Sequence, residues 1–445
     1  MPIMDNFKYQ YISNASEYEH GLMSANDKLK LDNIQLSDLE YIQEGLDEIN
    51  EYMVPQFIYG IKIDTTNSDP DTAVTYTDDA SGFIPLKVDQ STGVCNYGSW
   101  KDIIDNVLGV KPCLMKKDGT LITYLDPDNY NKTVNGNTID IESGDLGQVM
   151  IRFKHIYYKF SMDGDKLWFQ ISNKQNDSTW VDTAFAAEDG IGSVKSEMYV
   201  SAYETVLKNN MLQSISNNKP STGLNFTSVD KSSSFGVFHM MNVARKEFII
   251  LLGYLVTKSI NLMSNIGKGN HYTPGSGTLL NTGTMNDKGL FYGKQTNEGV
   301  KLFGIENLWG NSLKYMNGMI QKLIYVIDKE TGYTVPEQHI FIKESYPYDN
   351  IEDFDDGGII GINKVYIKEL KFLSDSIYIP DPTKSASSST YYKSLFYNTE
   401  STSTSNILNA LYGNYSAMTG SDFLMLADTE IFEDTNIPIT THIIY

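Results

Sequence analysis

Five apolar residues, Leu39, Ile42, Leu46, Ile49 and Met53, follow one another at spacings of 3, 4, 3 and 4. Between them stand Glu40, Gln43, Glu44, Asp47, Glu48, Asn50 and Glu51. This is the a/d seam of a helix over 36–54, with a charged back. Pro55 ends it, because proline cannot continue the backbone ladder and disfavours helix before it. Two heptads are too short to stand alone in water. The helix therefore needs either copies of itself or the body of its own chain to cover the seam. The seam divides the chain into a leader before it and a large body after it.

The leader over 1–20 is polar and aromatic without helical period. Phe7, Tyr9, Tyr11 and Ile12 alternate enough to add a strand to a partner. Gly21 to Ile34 carries small residues, N-cap candidates at Ser24 and Asn26, and then a charged helix start. The division is an arm over 1–35, a helix over 36–54 and a head over 55–445, with a possible further split near 190.

The texture changes at Gln56. Phe57–Asp64 alternates as a strand, and Ala73–Tyr76 is another. Asn96 to Leu108 reads as a short helix. Pro112–Met115 and Thr120–Leu125 flank Lys117-Asp118-Gly119 as a hairpin. Val149–Phe153 and Ile156–Phe160 are strands, and Lys166–Ile171 pairs across the turn Met162–Asp165. Helices are expected over Ser193–Leu207 and over Asn242–Leu262, the latter with Ile249, Leu252, Leu255 and Ile260 on one side. Glycine, asparagine and threonine then dominate 264–300, and 384–405 reads as a Ser/Thr/Tyr-rich surface loop. Short strands without regular βα alternation give an α+β head rich in loops, and long ordered loops on a scaffold commonly serve binding.

Charge and chemistry narrow the function. With 35 Lys+Arg against 56 Asp+Glu, the net charge of −21 argues against binding nucleic acid. The longest wholly apolar run, Phe248–Val256, is too short to span a bilayer, and Met1–Asn6 has no Sec-type signal. Cys95 and Cys113 read as a free pair of buried thiols, with one disulfide between them as the alternative. His20, His155, His239, His271, His339 and His442 show no metal-binding pair at i, i+4. Gly267-Lys268-Gly269 lacks the ending of a phosphate loop. Glu352–Gly358, Asp163-Gly164-Asp165 and Asp126-Pro127-Asp128 lack the full spacing of a calcium loop. No catalytic residue, metal or cofactor is assigned. The 30 tyrosines fit a recognition surface as well as a plain compositional bias.

Three stretches carry a resemblance. Gly21-Leu22-Met23-Ser24-Ala25-Asn26-Asp27-Lys28-Leu29-Lys30-Leu31-Asp32 resembles a motif of bacteriophage tail and head fibres, matching every fixed position. Phe303-Gly304-Ile305-Glu306-Asn307-Leu308-Trp309-Gly310-Asn311 is similar to the core of the C-type-lectin-like fold, found in formylglycine-generating enzymes and in phage receptor-binding heads. Leu411–Ser416 with Gly420–Leu424 is similar, in degenerate form, to the closing strands of such heads. Tyr59–Asp64, Tyr97–Trp100 and Pro112-Cys113 fit phage minor structural proteins. Two departures matter. Ser312-Leu313-Lys314-Tyr315 stands where the lectin core often has Val/Ile-Trp-Glu-Trp, and the late cysteine pair of the formylglycine enzymes is missing, so no enzymatic activity carries over.

The resemblance implies a non-enzymatic, homotrimeric fibre of the virion, assembled in the host cytoplasm. It would attach by its arm to a capsid or tail protein and bind a host-surface glycan or protein, with no membrane insertion. Leu39, Ile42, Leu46, Ile49 and Met53 would form the trimer. Glu306, Asn307, Trp309, Gly310 and Asn311 would brace the head, and Tyr391, Tyr392, Tyr397, Tyr412 and Tyr415 would be receptor contacts. The alternatives are a virion-borne glycan depolymerase working with a carboxylate pair, and a purely structural capsid decoration or tail component.

Overall fold

The computed structural model describes residues 56–64, 67, 72–186, 194–222, 224, 232–270, 278–296, 298–315, 317, 319–330, 332–342 and 439–445, with short strands between 355 and 425. The chain divides into two compact units, Met1–Gln56 and Phe57–Tyr445, and all described secondary structure lies in the second. The arm, the helix over 36–54 and its five seam residues lie outside the described residues.

The head is sheet-rich α+β. In chain order its first strands are β1 (Ile58–Asp64), β2 (Val74–Asp78), β3 (Lys87–Asp89), β4 (Val94–Asn96), β5 (Lys111–Met115), β6 (Leu121–Asp126) and β7 (Asn129–Thr133). They continue as β8 (Gln148–Lys154), β9 (Tyr157–Asp163), β10 (Lys166–Ser172), β11 (Glu197–Ser201), the hairpin β12 (Val206–Lys208)–β13 (Met211–Gln213) and β14 (His239–Met240). Helices α1 (Val243–Thr257) and α2 (Leu262–Asn265) follow, then the hairpin β15 (Lys301–Leu302)–β16 (Ile305–Glu306) and β17 (Leu313–Tyr315).

Two sheets organise these strands. The four-stranded sheet runs β2-β1-β10-β9, all antiparallel. Its alternation is plain in β1, where Ile61 and Ile63 are buried and Lys62 between them is not. The seven-stranded sheet runs β14, Ile443–Ile444, β11, β8, β5, β6, β7. Its middle strand β8 is buried along six of its seven residues, as expected of a strand covered on both faces. This sheet draws strands from both sides of residue 190.

Helix α1 lies in the core shared by both sheets. Asn242 caps it by accepting from Arg245 N at 2.9 Å, and Lys258 ends it in the left-handed region at φ 53°. The helix thus stops at Thr257, short of the Leu262 expected from the sequence. Its apolar residues do not lie on one side either. Phe248, Ile250, Leu251, Tyr254 and Val256 are buried along with Ile249, Leu252 and Leu255. After the charged Arg245-Lys246-Glu247, themselves buried, the helix is apolar all round, as a core helix is, and the ring of Phe248 meets those of Tyr158 and Phe185 at 4.8 and 5.6 Å. Arg245 is tolerated there because its guanidinium donates to the carbonyls of Ala184 and Ala186, both at 2.9 Å.

The helix expected over Ser193–Leu207 is absent. Glu197-Met198-Tyr199-Val200-Ser201 forms β11, paired with β8 on one side and Ile444 on the other. Sheet pairing with distant strands overrides the local pattern here. The expected helix near 96–108 begins after Trp100, and its end winds wide, with Leu108 N bonding Ile103 O at 2.8 Å.

Towards its C-terminal end the chain returns beside β17. β17 pairs in parallel with Ile439–Thr440 and antiparallel with Leu411–Gly413. Met319–Ile327, Thr334–Ile342 and Asp355–Ile359 form a three-stranded sheet of their own. The strand Ile443–Ile444 then enters the interior of the main sheet, between β11 and β14.

Ile444 is fully buried between its neighbours. Ile444→Ala is expected to cost about 2–5 kcal/mol in urea denaturation. Removal of 439–445, which uncovers the edges of β11 and β14, is expected to yield aggregates on size-exclusion chromatography.

Candidate functional site

The stretch from Phe303 to Lys314 is held in a buried polar network. The β15–β16 hairpin turns through Phe303 and Gly304, both left-handed at φ 50° and 85°, the requirement of a tight two-residue turn. A Cβ on Gly304 would lie 2.6 Å from Tyr130 Oη. After the hairpin, Asn307, Gly310 and Asn311 also take positive φ. Asparagine tolerates that region because its short side chain bonds the nearby backbone.

These contorted residues all bond inward. Trp309 is buried, and its indole donates to Gly267 O at 3.0 Å. Asn311 Oδ1 accepts from Asn270 Nδ2 at 2.9 Å and from Leu280 N at 2.8 Å. Asn307 Oδ1 accepts from Val300 N at 3.3 Å. Glu306 accepts from Gly283 N and Met285 N at 2.9 and 3.0 Å, while Lys301 Nζ donates to Met285 O at 2.9 Å. Glu306 and Lys301 thus grip the backbone of Met285 from its two ends. Burial pushes the Glu306 carboxyl up to about 7 and pulls the Lys301 ammonium down to about 8.

Glu204, just beyond β11, is the hub. One carboxylate oxygen accepts from Asn307 Nδ2 at 3.2 Å and from Asn311 Nδ2. The other accepts from Lys314 Nζ at 2.7 Å, Ser312 Oγ at 2.5 Å and Thr440 Oγ1 at 3.4 Å. The side chains of Lys314 and Glu204 are 4% and 1% exposed, so this ion pair is fully desolvated. Lys314 also donates to the carbonyls of Gly310 and Ser312 at 3.2 and 2.8 Å. Burial would raise the Glu204 carboxyl. The Lys314 charge and the bonds from Lys314, Ser312 and Asn311 outweigh it and hold the carboxyl below its ordinary range. Burial lowers the Lys314 ammonium against the pull of Glu204.

Ser201 and His442 extend the network. Ser201 Oγ donates to Tyr203 O at 2.9 Å and accepts from Ile443 N at 3.1 Å. His442 Nδ1 lies 3.0 Å from the same oxygen. Ser201 has spent its one proton on Tyr203, so we assign the Nδ1–H tautomer to His442. Its Nε2 is buried and has no hydrogen-bond partner among the described residues. Burial, with Lys314 and Lys246 nearby, pushes His442 down to about 4. The imidazole is therefore neutral at physiological pH.

Chemically, this arrangement binds the protein to itself. Every lone pair of Glu204 that matters is engaged from within, and the hub is closed to solvent. The motif residues Glu306, Asn307, Trp309, Gly310 and Asn311 come together here as internal bracing. Tyr412 lies in the strand Leu411–Gly413, opposite Lys314. Tyr391, Tyr392, Tyr397 and Tyr415 lie outside the described residues. Cys95 and Cys113 are both free, and burial pushes the Cys95 thiol up to about 12. Among the described residues no three His, Cys, Asp or Glu side chains cluster as a metal site. Glu204, Lys314, Lys301 and His442 escaped the sequence reading. Their signal was a charge set in an apolar run, as in Ala202-Tyr203-Glu204 and Leu313-Lys314-Tyr315.

No protein-family model matches this chain, and no curated protein matches it. The network itself yields two expectations. Glu204→Gln leaves the Lys314 ammonium buried without its counter-charge and is expected to cost about 3–5 kcal/mol by urea denaturation. Adding Lys314→Met should recover part of that loss. The second concerns pH. The unfolded chain protonates His442 near its ordinary value of 6.5, whereas the native chain resists until about 4. The His442 contribution to stability should fall as pH drops through this window, by up to ~1.4 kcal/mol per pH unit, against an opposite contribution from Glu306, whose raised carboxyl is protonated in the fold before it is in the unfolded chain. Glu204, with its carboxyl lowered in the fold, adds a further loss at more acid pH. Thermal melts of wild type and His442→Asn between these limits should isolate it: the stability of wild type relative to the variant should fall as pH drops.

Proposed function

We propose that this chain is a non-enzymatic bacteriophage virion fibre protein, a head or tail fibre. It is a homotrimer, attached to the particle by its N-terminal arm and carrying a head that binds the host surface. The observation that carries this reading is Gly21–Asp32, which matches the fibre motif at every fixed position and is followed at once by the Leu39–Met53 seam. A seam of two heptads suits three copies held together at the base of large heads.

A C-type-lectin-like head is supported by how the residues from Phe303 to Asn311 are used. Trp309 anchors, and Glu306 and Asn307 tie the loops over 280–300 to the sheet. A scaffold that fixes long loops from inside suits recognition more than turnover. The acidic head, free of any strong cationic run, is consistent with a surface partner other than nucleic acid.

Light scattering of the full-length protein is expected to give three chain masses. Leu46→Asp with Ile49→Asp should reduce this to one chain while leaving the head's thermal transition in place. A monomeric wild type whose behaviour is unchanged by deletion of 1–54 would sink the reading.

A further inference from the structure

The β3–β4 ribbon presents a face that the bracing network does not use. Its register pairs Lys87 with Asn96 and Asp89 with Val94. Side chains alternate across a strand, so these four share one face, while Val88 is buried and Cys95 packs against the core on the other. The exposed face lines a groove of about 630 Å³, walled by Gln90 and by Ser264 of α2.

We propose that this groove is a saccharide-binding subsite, the part of the head that takes a segment of host-surface glycan; it builds on the host-binding reading above. Three properties carry the assignment. First, the polar groups are held by one atom and present another. Asp89 Oδ1 accepts from Ser91 N at 2.9 Å and Ser91 Oγ at 2.7 Å, leaving Oδ2 open. Asn96 Oδ1 accepts from Gly98 N at 3.0 Å, leaving Nδ2 open. Lys87 adds a second donor on the same face. A carboxylate acceptor beside an amide donor suits the adjacent hydroxyls of a sugar ring, each of which both donates and accepts. The Ser91 bonds hold the Asp89 carboxyl below its ordinary range, so it is ionised and acts as an acceptor.

Second, Val94 is 66% exposed within this polar surround. One small apolar patch is enough for the C–H face of a pyranose. It is too small to be the aromatic or leucine-sized anchor pocket of a protein partner. A single ammonium beside a carboxylate does not attract a phosphate backbone.

Third, the ribbon is rigidly mounted. Leu86 N bonds Val256 O of α1 at 2.8 Å, and Gln90 Nε2 bonds Met263 O of α2 at 2.7 Å. The turn residue Gly93, at φ 80°, is so close to Tyr292 that a Cβ would lie 2.1 Å from its ring. A groove of this size holds a ligand of a few rings, and a fixed wall lowers the ordering cost of binding it.

The test is an array of oligosaccharides from bacterial capsules, O-antigens and teichoic acids, probed with the labelled full-length protein. Wild type should bind a subset. Asp89→Ala with Asn96→Ala should weaken that binding by about tenfold or more, and Val94→Arg should abolish it. Val134→Arg, at an exposed site beyond β7, should change nothing. Val94→Arg and Val134→Arg change exposed side chains and should melt as wild type, whereas the double variant also loses the turn bonds to Ser91 N and Gly98 N and should melt slightly lower, so Val94→Arg is the variant that separates the groove from the fold. The proposal is overturned if wild type binds no saccharide on the array. It is equally overturned if the double variant and Val94→Arg bind within about twofold of wild type. The mass by light scattering is read on the same samples, so loss of the groove and loss of the trimeric fibre reading are separate results.

Discussion

A carboxylate removed from water needs a complete set of partners, because an unpaired buried charge costs several kcal/mol. Glu204 meets that demand with groups from distant parts of the chain: Asn307 and Asn311 beyond β16, Ser312 and Lys314 around β17, and Thr440 near the C-terminal end. The parallel pairing of β17 with Ile439–Thr440 spans two residue pairs, too few to fix a register by backbone bonds alone. The carboxylate supplies what the ladder lacks. A slip by one residue turns side chains to the opposite face and would take Lys314 or Thr440 away from Glu204. The ion pair thus acts as a registry device for the place where the C-terminal strand returns beside β17. Thr205 reinforces it, its N and Oγ1 both donating to Thr441 O at 3.0 and 3.1 Å.

What could be read from the sequence was what depends on neighbours. β1, the β5–β6 hairpin around Lys117-Asp118-Gly119 and the β9–β10 hairpin carry their own alternation and turn chemistry, and they form as expected. β11 is not legible locally, because its stability comes from β8 and Ile444, partners far away in the chain. Helix α1 is legible as a helix, but the expected single apolar side is not what forms, since Phe248–Val256 is buried at every residue. The continuous run was itself the sign of a central helix. The hub was the least accessible. Glu204 and Lys314 are 110 residues apart, and nothing local to either marks the other. The motif from Phe303 to Asn311 was visible as a motif, yet the carboxylate that gives its asparagines their purpose was not.

The interior and the surface of the head obey opposite rules for polar groups. Inside, Glu204, Glu306, Asn307 and Asn311 are engaged on every side, and this fixes loops that have little regular structure. On the β3–β4 ribbon, Asp89 and Asn96, both lining the groove, are each held by one oxygen while the second polar atom is not engaged. The first pattern makes a scaffold, and the second makes a presenting surface. They are linked mechanically, since the ribbon hangs from Val256 and Met263 while α1 is packed through the same core as Trp309.

This linkage bears on how weak contacts can suffice. A groove with one carboxylate, one amide, one ammonium and one valine offers few interactions, and a single saccharide segment would bind it loosely. In the proposed trimer, three such grooves would be carried on one base. After the first engages, the second and third bind at an effective concentration set by geometry, and overall avidity can exceed the single-site affinity by about 10²–10⁴. That gain requires the grooves to keep fixed positions on their heads. A ribbon free to move would spend it on ordering, whereas one pinned by Leu86, Gln90 and Gly93 keeps it. On that proposal the buried bracing and the sparse surface groove would answer to one requirement: rigidity inside would let a repeated, low-affinity groove hold a repetitive partner.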